Sequence, residues 1–137
     1  MRPTRRFDDV KVGEALPPLD VPTTTSLVVG GALASRDFTP VHHDKAAAQA
    51  QGLPDVFMNI LTTNGLVGRY VTDWAGPDAR VRGMKTRLGA PNVAGDTLKI
   101  RGVVQEAKDG VVAVQVTGTT SFGNHVSSTV TVELPRA

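Results

Sequence analysis

The sequence predicts an α+β protein in which one long helix packs against a curved antiparallel sheet. Apolar side chains recur at helical spacing between residues 56 and 74, the longest such pattern in the chain. Beyond that segment, apolar and polar residues alternate, which is typical of a half-buried sheet. The chain has 137 residues and no internal repeat, so we expect a single domain spanning residues 1–137.

Short elements are predicted before the long helix. Residues 20–25 are rich in Val and Thr and predict a strand. Residues 27–35 predict a short buried helix, because Ala, Leu and Val dominate them. Either Thr25 or Ser26 can cap the start of that helix.

A second short helix and the long helix follow. Asp44 can cap an Ala-rich helix over residues 45–51, which Gly52 ends. The long helix contains Gly65 and Gly68, and each glycine inside a helix costs about 1 kcal/mol relative to Ala. We therefore expect that a neighbouring element approaches the helix backbone closely at these glycines.

Four strands are predicted after the long helix. Lys108-Asp-Gly has the residues of a tight hairpin turn, and a second turn is expected around Phe122. Gly83 interrupts the alternation in the first of these strands and predicts a bulge. The four predicted strands are residues 80–88, 97–105, 112–117 and 126–134.

Composition excludes several classes of function. The chain has no cysteine, so disulfides, thiolate metal sites and thiol nucleophiles are excluded. Neither a signal peptide nor a membrane span is visible, so we expect a cytoplasmic protein without a membrane partner. The net charge of +2 is scattered and aromatic residues make up only 4% of the chain, so no nucleic-acid partner is expected.

The candidate site is the polar segment Ser35-Arg-Asp-Phe-Thr-Pro-Val-His-His-Asp. Pro40 prevents a regular helix through it, so Asp37 and His42 are predicted to lie on a constrained loop. A carboxylate and an imidazole can divide general acid and general base work between them. The alternative, an Asp that caps a turn and a surface His, stays open on these residues alone.

Three motifs in order carry a resemblance to a known family. They are Phe7-Asp-Asp-Val-Lys-Val-Gly, Asp37-x-x-Pro-x-His42-x-Asp44 and, after the long helix, Pro91-x-x-x-Gly-Asp-Thr-Leu. In this order they resemble the MaoC-like (R)-specific enoyl-CoA hydratases, which have the hot-dog fold. Phe57-Met-Asn-Ile-Leu-Thr, Arg87-Leu-Gly-x-Pro and the helix sequence from Gly65 to Pro77 are similar to the small MaoC-like subunit of actinobacterial steroid side-chain enoyl-CoA hydratases.

The resemblance implies a reaction and a set of site residues. Asp37 and His42 occupy the family's catalytic positions, where they would activate a water that adds to a trans-2-enoyl-CoA thioester, here of a steroid side chain. The backbone N–H of Asn59 would bind the thioester oxygen, although most members of the family have glycine at this position. Coenzyme A is part of the substrate, so no separate cofactor is expected. A hot-dog acyl-CoA thioesterase is the alternative enzyme.

Binding residues and partners are predicted less directly. Arg80, Arg82, Lys85 and Arg87 follow the long helix and can meet the phosphates of coenzyme A, with the last three as the substrate-binding candidates. No metal site is expected, because the adjacent His42 and His43 point in different directions on a loop. The resemblance implies a heteromer with a second MaoC-like chain. A homodimer is the alternative assembly, and a non-catalytic partner subunit of a heteromeric hydratase is an alternative function.

Overall fold

The computed structural model describes residues 2–137. Five antiparallel strands form one sheet, and three α-helices lie outside it, as the α+β prediction requires. In chain order the elements are β1 (Leu19–Pro22), α1 (Thr25–Ala34), α2 (Lys45–Ala50), α3 (Ile60–Ala75), β2 (Arg80–Leu88), β3 (Thr97–Lys108), β4 (Val111–Thr120) and β5 (Gly123–Glu133). The order of the strands in the sheet is β1-β3-β4-β5-β2.

The core lies between α3 and the inner face of the sheet. Alternate residues of β4 and β5 are fully buried, while the residues between them are partly exposed. On α3, the buried side chains include Val67, Tyr70, Val71 and Trp74, which recur at helical spacing. Burial of this stripe explains why the helix forms despite its two glycines.

Several boundaries differ from the prediction. The predicted strand 20–25 is shorter and ends at Pro22, and Thr24 caps α1 by accepting a hydrogen bond from the Leu27 N–H, so neither Thr25 nor Ser26 is the cap. The long helix begins at Ile60 rather than at residue 56. Residues 56–58 are extended instead, because their backbone groups bind the loop 92–94 and the carbonyl of Val41.

The explanation offered for the glycines of the long helix is wrong. A Cβ at Gly65 would meet no atom within 4 Å, and one at Gly68 would make an ordinary contact of 3.8 Å with Met84 Sδ. Close approach to the backbone occurs instead on α1, at Gly31.

The turn and bulge predictions are confirmed. Asp109 and Gly110 join β3 to β4 and both have positive φ, 53° and 81°, as a tight hairpin turn requires. The pairing of β2 with β5 shifts between Val81 and Gly83, which is the predicted bulge. The β4–β5 turn falls at residues 121–122, next to the predicted position.

Two features are absent from the described residues. No helix within residues 2–137 is long and apolar enough to cross a membrane. The same residues contain no group of three or more His, Asp or Glu side chains that could hold a metal ion.

Candidate active site

Asp37 is positioned by the way α1 ends. The Arg36 N–H donates to the carbonyl of Leu33 at 3.1 Å, and the Asp37 N–H donates to the carbonyl of Ala32 at 2.9 Å. These two bonds form a Schellman motif, in which Arg36 takes the left-handed position with φ of 57°. The end of the helix therefore fixes the backbone from which the Asp37 carboxylate projects.

The Asp37 carboxylate accepts hydrogen bonds at both oxygens. Oδ1 accepts from the Thr39 hydroxyl at 2.7 Å and from the Thr39 N–H at 3.2 Å. Oδ2 accepts from the Asn59 amide at 3.1 Å. The hydrogen bond from the Thr39 hydroxyl, followed by that from Asn59, lowers the pKa of Asp37 below its ordinary value of 3.8. The carboxylate is thus ionised at neutral pH.

His42 is buried beside Asp37, so the surface-His alternative is wrong. It ends a short 3-10 helix, Pro40–His42, and is 8% exposed. Its Nδ1 lies 2.6 Å from the carbonyl oxygen of Phe57, and its Nε2 lies 3.3 Å from Asp37 Oδ2. The Phe57 ring packs edge-on against the imidazole, with centroids 5.2 Å apart. The sequence prediction that Asp37 and His42 share one site agrees with this geometry.

The hydrogen bonds determine which atoms can react. A carbonyl only accepts, so the bond to Phe57 places a proton on His42 Nδ1 and leaves a lone pair on Nε2 when the ring is neutral. His42 Nε2 and Asp37 Oδ2 are therefore two neighbouring hydrogen-bond acceptors. Because these two acceptors lie 3.3 Å apart, one water molecule beside the pair can donate to both, and a proton that reaches Nε2 would lie beside a carboxylate.

Asn59 caps α3 with its side chain. Its Oδ1 accepts from the Thr62 N–H at 3.0 Å and from the Thr62 hydroxyl at 2.6 Å. Its backbone N–H, the predicted oxyanion donor, has no partner among the hydrogen bonds of residues 2–137. The residue is 2% exposed. Asn59 thus belongs to the same cluster as Asp37, with a free N–H at the positive end of the helix.

The predicted coenzyme A contacts lie apart from this cluster. Lys85 pairs with Thr129 and Arg87 with Ser127, and these partners alternate with the buried residues of β5. Lys85 and Arg87 therefore lie on the outer face of the sheet, opposite the face that α3 covers. Arg82 makes an ion pair with Glu133, and Arg80 is exposed at the start of β2. Their contact with coenzyme A stays a prediction.

Three groups of the site were missed in the sequence. They are the Ser35 hydroxyl, which accepts from the Asn59 amide at 2.9 Å, the Thr39 side chain and the carbonyl of Phe57. Thr39 had a local signal, because an Asp side chain often accepts a hydrogen bond from the backbone N–H two residues later. Ser35 and Phe57 had none, since their roles depend on tertiary contacts.

Comparison with known proteins identifies the family. Residues 10–125 match the family model described as MaoC like domain, so the chain belongs to the MaoC-like domain family. The predicted family is thereby confirmed.

Individual relatives agree with this membership. The chain is 47% identical over 123 residues to the 3-oxo-4,17-pregnadiene-20-carboxyl-CoA hydratase beta subunit of Mycobacterium tuberculosis, covering 90% of this chain and 95% of that protein. The ChsH1-ChsH2 complex from the same organism contains a similar chain, with a TM-score of 0.89, 46% identity and coverage of 91% of this chain and 98% of that one. The R-hydratase PhaJ1 from Pseudomonas aeruginosa has a TM-score of 0.87 at 19% identity, with 96% and 86% covered. This last likeness concerns the fold alone, which is the predicted hot-dog fold.

Proposed function

We propose that this protein is an enoyl-CoA hydratase that adds water to a trans-2-enoyl-CoA thioester of a steroid side chain. The observation that carries the proposal is the facing pair of Asp37 Oδ2 and His42 Nε2, 3.3 Å apart. It occurs in a chain 47% identical to a subunit named as a hydratase of a pregnadiene carboxyl-CoA. Coenzyme A enters as part of the substrate, so the reaction needs no further cofactor.

The proposed reaction uses the two residues differently. A water bound beside the pair donates a hydrogen bond to each residue, and its oxygen attacks the β-carbon of the enoyl group. His42 Nε2 takes one proton from the water, and the imidazolium returns it to the α-carbon, so hydroxyl and hydrogen add to one face. Asp37 orients the water and stabilises the imidazolium, because its lowered pKa keeps the carboxylate ionised.

Charge that develops on the thioester oxygen needs a donor. Attack at the β-carbon moves electrons to the carbonyl oxygen, where a preorganised N–H stabilises them. The backbone N–H of Asn59 fits this role, because it has no partner in the described chain and precedes the first turn of α3. The N–H groups of Ile60 and Leu61 follow it at the same helix end.

A bulky acyl group fits the surroundings of the pair. Residues adjacent to Asp37 and Asn59 expose large apolar side chains, Phe38 at 63%, Ile60 at 45% and Leu61 at 52%. Large apolar side chains exposed beside a polar site commonly mark ligand grooves or subunit contacts. A steroid side chain or a partner subunit would cover them.

A partner chain is part of the proposal. The relative is named a beta subunit, and the similar solved chain comes from a two-component complex. We propose a heteromer with a second MaoC-like chain, with a homodimer as the alternative for protein made alone. We also propose a cytoplasmic location, as expected from the sequence.

The test is hydration by the purified chain, alone and coexpressed with candidate partner chains. Loss of the enoyl thioester absorbance would be followed with a steroid side-chain enoyl-CoA and with crotonyl-CoA, and the product would be identified by mass. We expect hydration of the steroid substrate, strongest with the partner present. Release of free coenzyme A without a hydrated product would contradict the hydratase and indicate the thioesterase. No turnover by any combination would contradict both.

A further inference from the structure

We propose that the side-chain amide of Asn59 is a positioning residue that holds the Asp37 carboxylate in its reactive orientation. This inference rests on the proposed function for its effect on turnover. It differs from the role proposed for the backbone N–H of Asn59, because it concerns the other end of the residue.

Every hydrogen-bonding position of the Asn59 amide is occupied. Nδ2 donates to Asp37 Oδ2 at 3.1 Å and to Ser35 Oγ at 2.9 Å. Oδ1 accepts from the N–H and from the hydroxyl of Thr62. Two donors and two acceptors are the full capacity of an amide, and at 2% exposure water does not compete for them. The side chain is therefore held in one place.

The partners also fix which way the amide points. The Ser35 hydroxyl donates to the carbonyl of Gly31 at 2.7 Å, so its oxygen is left as an acceptor for Asn59. A flipped amide would place its oxygen against the Asp37 carboxylate and its NH₂ against the Thr62 N–H. Both contacts would be repulsive. The Asn59 amide thus presents a donor to Asp37 in every consistent arrangement.

The consequence for Asp37 is positional and electrostatic. Thr39 occupies Oδ1 and Asn59 occupies one side of Oδ2, which leaves the remaining side of Oδ2 facing His42 Nε2. A donor also favours the ionised carboxylate. Because Asn59 simultaneously caps α3, the start of that helix and the orientation of Asp37 are set by one side chain.

Replacing Asn59 with Asp separates the two roles of the side chain. Asp is as good a cap as Asn, so the Thr62 contacts remain, but the donor to Asp37 becomes a second acceptor. Asn59→Ser is the neutral companion, since Ser caps well and is too short to keep the Asn59 geometry. Both variants keep the backbone N–H. Asn124→Asp is the control, because it makes the same exchange at an exposed Asn whose amide donates to the Ser127 hydroxyl and not to Asp37.

Steady-state kinetics and thermal melting test the proposal together with the titration of Asp37. We expect kcat to fall about tenfold or more in both Asn59 variants while KM changes by less than about twofold, as for a misplaced catalytic group. The Asp37 carboxyl, followed by carbon NMR in substrate-free protein, should titrate at higher pH than in the unchanged protein. Asn124→Asp should keep a kcat within about threefold of the unchanged protein, because surface substitutions away from the site have small effects.

Two results would overturn the inference. One is an Asn59→Asp or Asn59→Ser protein with unchanged kcat. The other is an Asp37 titration that coincides with that of the unchanged protein in both variants. The titration of Asp37 needs no turnover. A chain that hydrates nothing would therefore refute the proposed function, and the titration would still test whether Asn59 acts on Asp37.

Discussion

Gly31 of α1 and Thr62 of α3 lie in direct contact, with no room for a side chain at residue 31. A Cβ there would lie 2.8 Å from Thr62 Cγ2 and 3.1 Å from Thr62 Cβ. Rotation of the Thr62 side chain would move Cγ2 but not Cβ, so the 3.1 Å contact would remain and one helix would have to shift by a few tenths of an ångström. This contact joins the helix that carries Asp37 to the helix that Asn59 caps.

Gly31→Ala should therefore separate the two helices. We expect a loss of about 1–3 kcal/mol in the free energy of unfolding, the usual range for overpacking, and a fall in kcat because Asp37 and Asn59 move apart. Gly30→Ala is the matched control, since a Cβ at Gly30 meets nothing within 4 Å. Replacing a helical glycine should stabilise that protein by about 0.5–1 kcal/mol. Equal melting of the two variants would contradict the contact.

Asp37→Asn and His42→Gln should each lower hydration by about a hundredfold or more, the range for loss of a positioned acid or base. His42→Gln is also expected to melt earlier, because the buried ring bonds the carbonyl of Phe57. His43→Gln is the control, since His43 is exposed and next in sequence. Kinetics and melts on all three proteins test the assignment. Near-normal turnover by a folded Asp37 or His42 variant would refute it.

His125 should make stability depend on pH. It is 2% exposed, with Nε2 2.9 Å from the Thr63 hydroxyl and Nδ1 2.7 Å from the carbonyl of Ala90. Burial lowers the pKa of His125 below its ordinary value of 6.5. The unfolded chain therefore binds the proton more readily than the folded one. This contribution is fully present above pH 6.5 and is lost as the pH falls through the lowered folded pKa.

Melting temperatures between about pH 8 and about pH 5 test this dependence. We expect the unchanged protein to melt progressively earlier below pH 6.5. His125→Gln should be less stable at high pH by about 1 kcal/mol, because one hydrogen bond is lost, and its pH profile should be flatter. The lowered pKa values of Asp37 and Asp96 act only at pH below 3.8, outside this window. Parallel profiles for the two proteins would rule out His125 as the cause.

The chain should not work as a monomer. β2 is an edge strand of nine residues and is exposed along most of its length, including Val81 at 43%. Such edges are normally covered in soluble proteins. Val81→Lys should weaken assembly and activity together, whereas Val12→Lys, at a residue 64% exposed outside the sheet, should leave both intact. Light scattering coupled to size exclusion, with and without partner chains, is the measurement. A fully active monomer would contradict the prediction.

Local chemistry made much of the fold predictable. The tight turn at Asp109 and Gly110 requires positive φ at both residues, and the sequence Asp-Gly supplies it. The bulge near Gly83 was predictable because the alternation of apolar and polar residues is interrupted there. The start of α3 was not predictable, because residues 56–58 continue the apolar pattern and only the loop 92–94, distant in sequence, holds them extended.

The site was predictable only at its centre. Asp37 and His42 stand out because Pro40 confines them to a loop and because their spacing matches a family motif. The prediction for Asn59, by contrast, concerned only its backbone N–H and assigned no role to its side chain. Its contacts reach Ser35 and Asp37, 24 and 22 residues away, so no local pattern reveals them.

The Schellman motif before Asp37 has a consequence for the order in which the protein opens. The Asp37 amide is protected only by its bond to Ala32 at the end of a ten-residue helix, whereas Val114 lies on β4 between two paired strands. Helix ends open by local fluctuation, while central strands exchange only through larger openings. In native-state hydrogen exchange, the Asp37 amide should therefore exchange well before that of Val114. On heating, turnover should disappear below the temperature at which the sheet melts.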